Sequence, residues 1–496
     1  MQSLQVYNSY TRQKESFVPI VPGYVGMYVC GPTVSGESHL GHARPFITFD
    51  VIYRYLMHLG NKVRYVRNIT DAGHFEEEGR EAEDKISKKA IIERLEPMEL
   101  VQKYTNLFHW AMRQFNNLEP SIEPTATGHI VEQIEMIKKI IAEGYAYAIN
   151  GSVYFDVKKY AEKYPYGKLS GRILDDLLES TRDLENQEEK HNWQDFALWK
   201  AAPPEHIMRW ESPWGEGFPG WHIECSAMST KYLGTQFDIH GGGMDLLFPH
   251  HESEIAQSTI CNHRVPARYW IHNNMITING KKMGKSYNNQ IRLTELFTGD
   301  HPLLAQAYSP MTIRFFILQT HYRSTLDFGN EALQAAEKGL RRLWEAHLAL
   351  QKMNWVAGGP QNAELDQKIR RLLSGLDESM NDDFNTAKTM ANLFEIVPTI
   401  NSIKDGHIQS GSLAEDTFMQ LKKYFTDYLE NILGLRDESG AEHSKLHGVL
   451  DLLIEIRKDA RSRKDYVTSD KIRNQLQQIG ILMKDEKDGK MSYSLE

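Results

Sequence analysis

The sequence predicts an α/β fold: a parallel-sheet domain over residues 1–310, interrupted by an insertion at about 120–215 and followed by an α-helical half. Three observations predict it. GYVGMYVCGPTV, from Gly23, is an apolar, β-branched and aromatic run that breaks at Gly-Pro, as a buried strand entering a loop does. HLGHARPFITFDVIYRYLMHLG then carries apolar residues at helical spacing and stops at Gly60. NKVRYVRNIT reads as a second strand, which completes a strand–helix–strand crossover with its chemistry at the carboxyl ends of the strands.

The remaining elements follow in order. Helical patterning covers about Lys85 to Gly144, and YAYAINGSVYFDV reads as a hairpin because Asn150-Gly151 suits a type I′ turn. This middle region abandons the strand–helix alternation, so it reads as an insertion, with the acidic stretch Asp175–Lys190 exposed. GTQFDIHGGG reads as a return to the sheet, with a glycine-rich loop after the strand. HHESEIAQSTICNH has helix periodicity, and MITINGKKMGKS reads as a hairpin around Asn279-Gly280 that leads into a lysine loop. From Pro310 the pattern is almost wholly helical, with breaks near Gly358 and Glu438, so residues 311–437 and 438–496 read as two further regions.

At 496 residues the chain exceeds what one core supports. Apolar residues make up 41% and charged residues 25%, ordinary for a globular protein, and no apolar run approaches a membrane span. The first residues lack a secretory hydrophobic region, and three cysteines, Cys30, Cys225 and Cys261, argue against a disulfide framework, so a cytoplasmic protein is expected. The net charge of −9 gives no global sign of a nucleic-acid partner. Seven basic residues against three aspartates between Arg457 and Arg473 make one local exception.

Three constellations carry chemistry. His39 and His42 of HLGH start the crossover helix, where free N–H groups and the helix dipole favour phosphate, and Gly41 leaves its backbone open to a flat base. KKMGKS places Lys282 and Lys285 around a glycine, suited to clamping phosphates. In FPHHESE, His250 and Glu254 lie four apart on a helix, His251 and Glu254 fit nearly as well, and with Cys225 either pair suits zinc. Taken singly, each constellation is equally a polar helix start or an exposed basic turn.

Their order along the chain resembles the class I aminoacyl-tRNA synthetases, whose catalytic domain is Rossmann-like. In detail YVCGPTV…HLGHARPF, VRNITD, GWHIECSAM, FDIHGGGMDLLFPHHESEIAQS, KKMGKS, MNDDFNTA and ARSRKDYVTSDKIRNQL resemble the cysteinyl-tRNA synthetases across nearly the whole chain. The resemblance implies one zinc ion on Cys30, Cys225, His250 and Glu254, which would admit the thiolate of cysteine and reject serine without an editing domain. It implies Trp221, His240 and Thr70 as amino-acid contacts. His39, Gly41, His42 and Lys285 are implied for ATP, Lys282 as an assistant to Lys285, and Mg2+ as the companion of ATP. The implied partners are L-cysteine, ATP and tRNA(Cys), in a monomer with no membrane association. The helical region would bind tRNA and the last region would read the anticodon, with Arg457, Arg461, Arg463 and Lys464 near its phosphates. Three departures stand out: Gly284 replaces a serine, which is expected to loosen the lysine loop; VSGES precedes His39; and an acidic stretch follows NITD. Two rivals remain: a cysteine ligase of the mycothiol pathway, which lacks the tRNA-binding half, and a non-catalytic tRNA-binding paralogue, which would have lost one of the constellations.

Overall fold

The chain opens with an antiparallel hairpin, β1 (Gln5–Asn8) and β2 (Gln13–Ser16), and then enters the parallel sheet. The computed structural model describes residues 3–495 except 74–85, 87–88, 91–94, 173–188, 205, 285–286, 288, 359, 439–451, 462, 464, 479–480 and 486–490. The expected crossover is present: β3 (Tyr24–Val29) leads through α1 (Leu40–His58) to β4 (Lys62–Arg67), with Tyr24 opposite Lys62 and Val29 opposite Arg67. α1 buries Phe46, Ile47, Phe49, Ile52, Tyr55 and Leu56, the stripe its spacing implies.

The insertion is a small sheet of its own. After α2 (Pro97–Gln114) and α3 (Ile130–Ala142), the strands β5 (Ala146–Ile149), β6 (Ser152–Phe155), β7 (Phe196–Ala201) and β8 (Gly217–Pro219) pair antiparallel in sequence order. Asn150 and Gly151 take φ of 50° and 84°, the left-handed pair that a type I′ turn requires. Phe155 and Phe196 stack at 4.8 Å and anchor this sheet's core. The acidic stretch and the one after NITD fall almost wholly outside the described residues.

The chain returns through α4 (Trp221–Leu233), β9 (Phe237–Gly243), α5 (Glu252–Asn262) and β10 (Ala267–Asn273). The parallel sheet has the order β10-β9-β3-β4, so neighbouring β3 and β9 mark the point where strand order reverses. One expectation needs correction here. Gly241 to Gly243 are not a loop but the end of β9. A Cβ on Gly241 would lie 2.3 Å from the Phe49 ring, and one on Gly242 would lie 2.9 Å from the His251 ring. The glycines are there so that α1 and the histidine can approach the strand.

β11 (Ile276–Ile278) and β12 (Lys281–Lys282) form the expected hairpin, with Asn279 and Gly280 at φ of 49° and 76°. α6 (Pro310–Leu318), β13 (Leu326–Phe328) and α7 (Asn330–Lys352) then lead into α8 (Ala363–Asn381), α9 (Thr386–Lys404) and α10 (Glu415–Thr426). MNDDFNTA is the turn from α8 to α9. Asp383 and Phe384 sit in left-handed backbone, φ 65° and 54°, at about 1–2 kcal/mol each. The buried Asp383 carboxylate offsets this by accepting from Tyr7 N–H at 2.8 Å, Tyr322 O–H at 2.6 Å and Arg323 Nε at 2.7 Å.

Residues 1–435 form one compact unit and 436–496 a second. In the second, residues 452–461 and Tyr466–Gln478 are helical, and Ile481–Asp485 pairs antiparallel with Met491–Leu495. Arg461 and Arg463 are exposed, Lys464 lies outside the described residues, and Arg457 is only 2% exposed. Burial removes Arg457 from the expected phosphate contacts. No described helix is long and apolar enough to cross a membrane.

Candidate active site

The strand order reverses between β3 and β9, and the carboxyl ends of the strands at such a point are the usual ligand position in open parallel sheets. Cys30 follows β3 directly, and its N–H donates to Gly241 O at 3.2 Å. The next residue must be glycine: a Cβ on Gly31 would lie 1.5 Å from Asn68 O. Cys225 comes from the first turns of α4. His250 and Glu254 come from the kink at Phe248 (φ −141°, ψ 134°) and the start of α5.

These four residues, 195 positions apart at their first pair, meet in one buried cluster. Cys30 Sγ lies 3.8 Å from Cys225 Sγ and 3.7 Å from Glu254 Oε1, and His250 Nε2 lies 3.2 Å from that same oxygen. Tetrahedral zinc, with bonds of about 2.3 Å to sulfur and about 2.0 Å to nitrogen or oxygen, spaces its donors about 3.8 Å (sulfur–sulfur), 3.6 Å (sulfur–oxygen) and 3.3 Å (nitrogen–oxygen). The cluster fits those edges. An overlapping set, Cys30, His240, His251 and Glu254, is also within reach of one point. In that set Cys30 Sγ lies 3.3 Å from His251 Nε2, His251 Nε2 lies 4.0 Å from Glu254 Oε1, and His240 Nε2 pairs with Glu254 Oε2 at 2.9 Å. The cluster is therefore compatible with zinc, and the structure brings both candidate sets within reach of one ion.

The charge states within the cluster are mixed, and against burial Cys225 and Glu254 push His250 up to about 10. Burial pushes the Cys30 thiol up, with Cys225 beside it adding to the shift. Burial would raise Cys225 too, but Cys30 and His250 outweigh it and hold that thiol below its usual range. Burial opposes ionisation of Glu254, yet His240 and then His250 bring the carboxyl down to about 2. Around the cluster the histidines are oriented in pairs. His222 Nδ1 faces His250 Nδ1 at 3.0 Å, and His251 Nδ1 faces His272 Nε2 at 2.8 Å. Burial first, and then the neighbouring histidines, keep His251 neutral.

The expected amino-acid contacts divide. Trp221 lies with its ring 4.3 Å from that of His250, at the edge of the cluster. His240 is fully buried between Trp270, stacked at 4.5 Å, and the Glu254 carboxylate. Thr70 is 2% exposed, and its hydroxyl donates to Glu224 at 2.9 Å and accepts from Asn68 at 3.1 Å.

The nucleotide end is built on α1. Gly41 N–H donates to His39 Nδ1, and His39 N–H donates to His42 Nδ1, both at 3.2 Å. These bonds leave the proton of each imidazole on Nε2. The rings stack at 3.8 Å, so the two donors lie side by side. A Cβ on Gly41 would meet Met283 Cε at 2.6 Å: the face left open to a flat base is covered here by a methionine of the lysine loop. Lys282 is exposed at the end of β12, and Lys285 lies outside the described residues. Asn289, which sequence reasoning missed, accepts from Gly284 N–H at 2.9 Å and donates to Lys282 O at 3.1 Å. On this side of the loop Asn289 holds the backbone of Gly284. Farther on, Leu40 N–H donates to Ile291 O at 3.0 Å, which ties the loop to the histidine helix.

A parallel sheet with a strand reversal, two stacked histidines at a helix start and a lysine hairpin define a class I aminoacyl-tRNA synthetase. Solved structures share the fold: methionyl-tRNA synthetase of Mycobacterium tuberculosis (14% identical, TM-score 0.57, 82% of this chain and 89% of that one) and the LeuRS of an Agrobacterium radiobacter complex (11%, TM-score 0.56, 85% and 86%). The family description "tRNA synthetases class I (C) catalytic domain" matches residues 16–338, and "DALR domain" matches residues 376–435. Cysteine–tRNA ligases of Bacteroides fragilis and Chlorobaculum tepidum are 58% and 47% identical, over 98% and 99% of this chain and 98% of each relative. The chain belongs to the cysteinyl-tRNA synthetase family.

Proposed function

We propose that the protein is a cysteine–tRNA ligase: it activates L-cysteine with ATP to cysteinyl-adenylate and pyrophosphate, then transfers the cysteinyl group to the 2′-hydroxyl of the terminal adenosine of tRNA(Cys). The carrying observation is the set of two cysteines, a histidine and a glutamate within reach of one ion, with Cys30 on the same strand–helix crossover that carries His39 and His42. In this reading Cys30, Cys225, His250 and Glu254 hold Zn2+. A bound zinc would supply a soft Lewis acid that takes the substrate sulfur as thiolate and discriminates against a hydroxyl.

The chain's own groups do the rest. His240 donates to Glu254 and fixes the carboxylate's direction, while His222 sets the ring of His250. Trp221 bounds the amino-acid side of the cluster. The Nε2–H groups of His39 and His42, with the N-terminus of α1, stabilise charge on the triphosphate as the cysteine carboxylate attacks the α-phosphorus and the bond to pyrophosphate breaks. Lys285, with Lys282 assisting, accompanies the leaving pyrophosphate, and Mg2+ comes with the nucleotide. For adenine to reach Gly41, Met283 has to swing aside. Thr70 acts behind the pocket, through Glu224 and Asn68.

We read residues 1–310 as catalytic, 311–437 as the tRNA-contacting half and 438–496 as the anticodon-reading region of a cytoplasmic monomer. The helical half with its DALR match speaks against the mycothiol-type ligase, and the intact histidine pair and thiol cluster speak against a non-catalytic paralogue. The deciding measurement is ATP–pyrophosphate exchange by zinc-loaded protein with cysteine or serine, followed by charging of tRNA(Cys). Exchange with cysteine and none with serine is expected. Equal rates for the two amino acids, or none with cysteine, would overturn the reading.

A further inference from the structure

Arg44 follows His42 by two residues on α1, and the activation chemistry has no task for it. It is 1% exposed. Burial pulls its guanidinium down to about 10, and among the described residues no carboxylate pairs with it. Its partners are backbone carbonyls. One terminal nitrogen, Nη1, donates to Asn274 O at 2.9 Å and to Met275 O at 2.7 Å. The other, Nη2, donates to His321 O at 3.3 Å and to Ser324 O. The buried Nε–H has no partner among the described residues. Burying a cation without a counter-ion opposes folding, so stability alone does not account for this residue.

The two pairs of acceptors meet at the base of the lysine hairpin. Asn274 and Met275 are the last residues before β11, and the strand that returns from it, β12, ends at Lys282. His321 and Ser324 precede β13, which pairs with β11 so that Leu326 lies opposite Ile276. This second segment is held in turn from the helical half. The Asp383 carboxylate, in the turn from α8 to α9, accepts from Tyr322 O–H at 2.6 Å and Arg323 Nε at 2.7 Å. One guanidinium on the histidine helix therefore grips the pivot of the lysine hairpin against a segment that the helical half fixes.

We propose that Arg44 is a positioning residue for amino-acid activation. It sets the distance and direction from the His39–His42 pair to the lysine hairpin, so that both reach the same triphosphate. Its four hydrogen bonds end on carbonyls at the base of the hairpin, so its effect passes through the lysines. A misplacement of about 1 Å between two such groups costs on the order of 10²-fold in rate. This inference rests on the ligase reading and adds the residue that aligns its two phosphate-binding parts.

The test is Arg44→Ala in the full chain, assayed by cysteine-dependent ATP–pyrophosphate exchange at a temperature where circular dichroism shows the variant folded. The exchange kcat should fall roughly thirty- to a hundredfold, while zinc content and the KM for cysteine stay within about twofold. Arg44→Lys keeps the charge but cannot span both pairs of carbonyls, so its kcat should fall between alanine and wild type. The Arg44→Ala change made in a Lys282→Ala/Lys285→Ala background should cost less than about threefold, because the hairpin then has no lysines to place. If Arg44→Ala does not fold, Arg44→Lys takes its place in both backgrounds. An equal loss with and without the lysines would make Arg44 a structural staple and overturn the proposal. An unchanged kcat, or a rise in the KM for cysteine that accounts for the loss, would overturn it as well. Failure of wild-type protein to exchange with cysteine would instead overturn the ligase reading.

Discussion

At the metal end of the site, Cys30, Cys225, His250 and Glu254 are 8%, 1%, 1% and 1% exposed and come from three separate elements packed into the core. At the nucleotide end, His39 and His42 are half-buried and Lys282 is exposed on a two-residue strand. The first site is buried, which suits a choice between two amino acids that differ by one atom. The second is wet and assembled from a helix start and a hairpin tip, which suits a large, charged nucleotide that must enter and leave as pyrophosphate and AMP. On the proposed reading, selectivity sits among buried groups and phosphoryl chemistry among half-buried and exposed ones.

The sharpest way to break this division is Cys225→Ser. Zinc content should fall to background, and cysteine-dependent exchange should drop on the order of 10³-fold, while ATP affinity, read by equilibrium dialysis, changes less than about threefold. Parallel losses in cysteine and ATP binding would mean that the metal holds the whole site together. The reciprocal variant, His42→Ala, removes a donor aimed at phosphate. Its exchange rate should fall roughly several hundredfold, with zinc content and the KM for cysteine unchanged.

The two ends were also unequally legible in the sequence. The Asn-Gly turns at 150–151 and 279–280, the crossover and the helix start at His39 are local events, and local chemistry predicts them. The metal end depends on residues brought together only by the sheet. Spacing left His250 and His251 equivalent as ligands, because nothing in FPHHESE says which ring His222 and which ring His272 will face. The triple glycine was misread for a related reason: its meaning lies in Phe49 and His251, which the strand meets only once folded. Arg457 reads as a surface cation by composition and is buried.

His240→Ala probes the boundary between the two ends. His240 donates to the Glu254 carboxylate, so the expected outcome is a zinc affinity about 10- to 100-fold weaker, measured by chelator competition, with exchange restored by added zinc. If zinc affinity holds while the KM for cysteine rises, His240 faces the substrate rather than the ligand.

The smallest effect should come from Asn289→Ala. Its side chain spans the lysine loop with two hydrogen bonds, to Gly284 N–H and Lys282 O, each worth about 1 kcal/mol net. Only part of that is expressed as misplacement of the lysines in the transition state, so the exchange rate should fall about three- to tenfold. Zinc content and KM for cysteine should not move, because no contact of Asn289 reaches the thiol cluster. Asn289→Asp keeps the acceptor for Gly284 and loses the donor to Lys282, so it should fall between wild type and alanine. A rise in the KM for cysteine in either variant would show that the lysine loop and the metal end are one cooperative site, and the contrast between them would then be one of exposure alone.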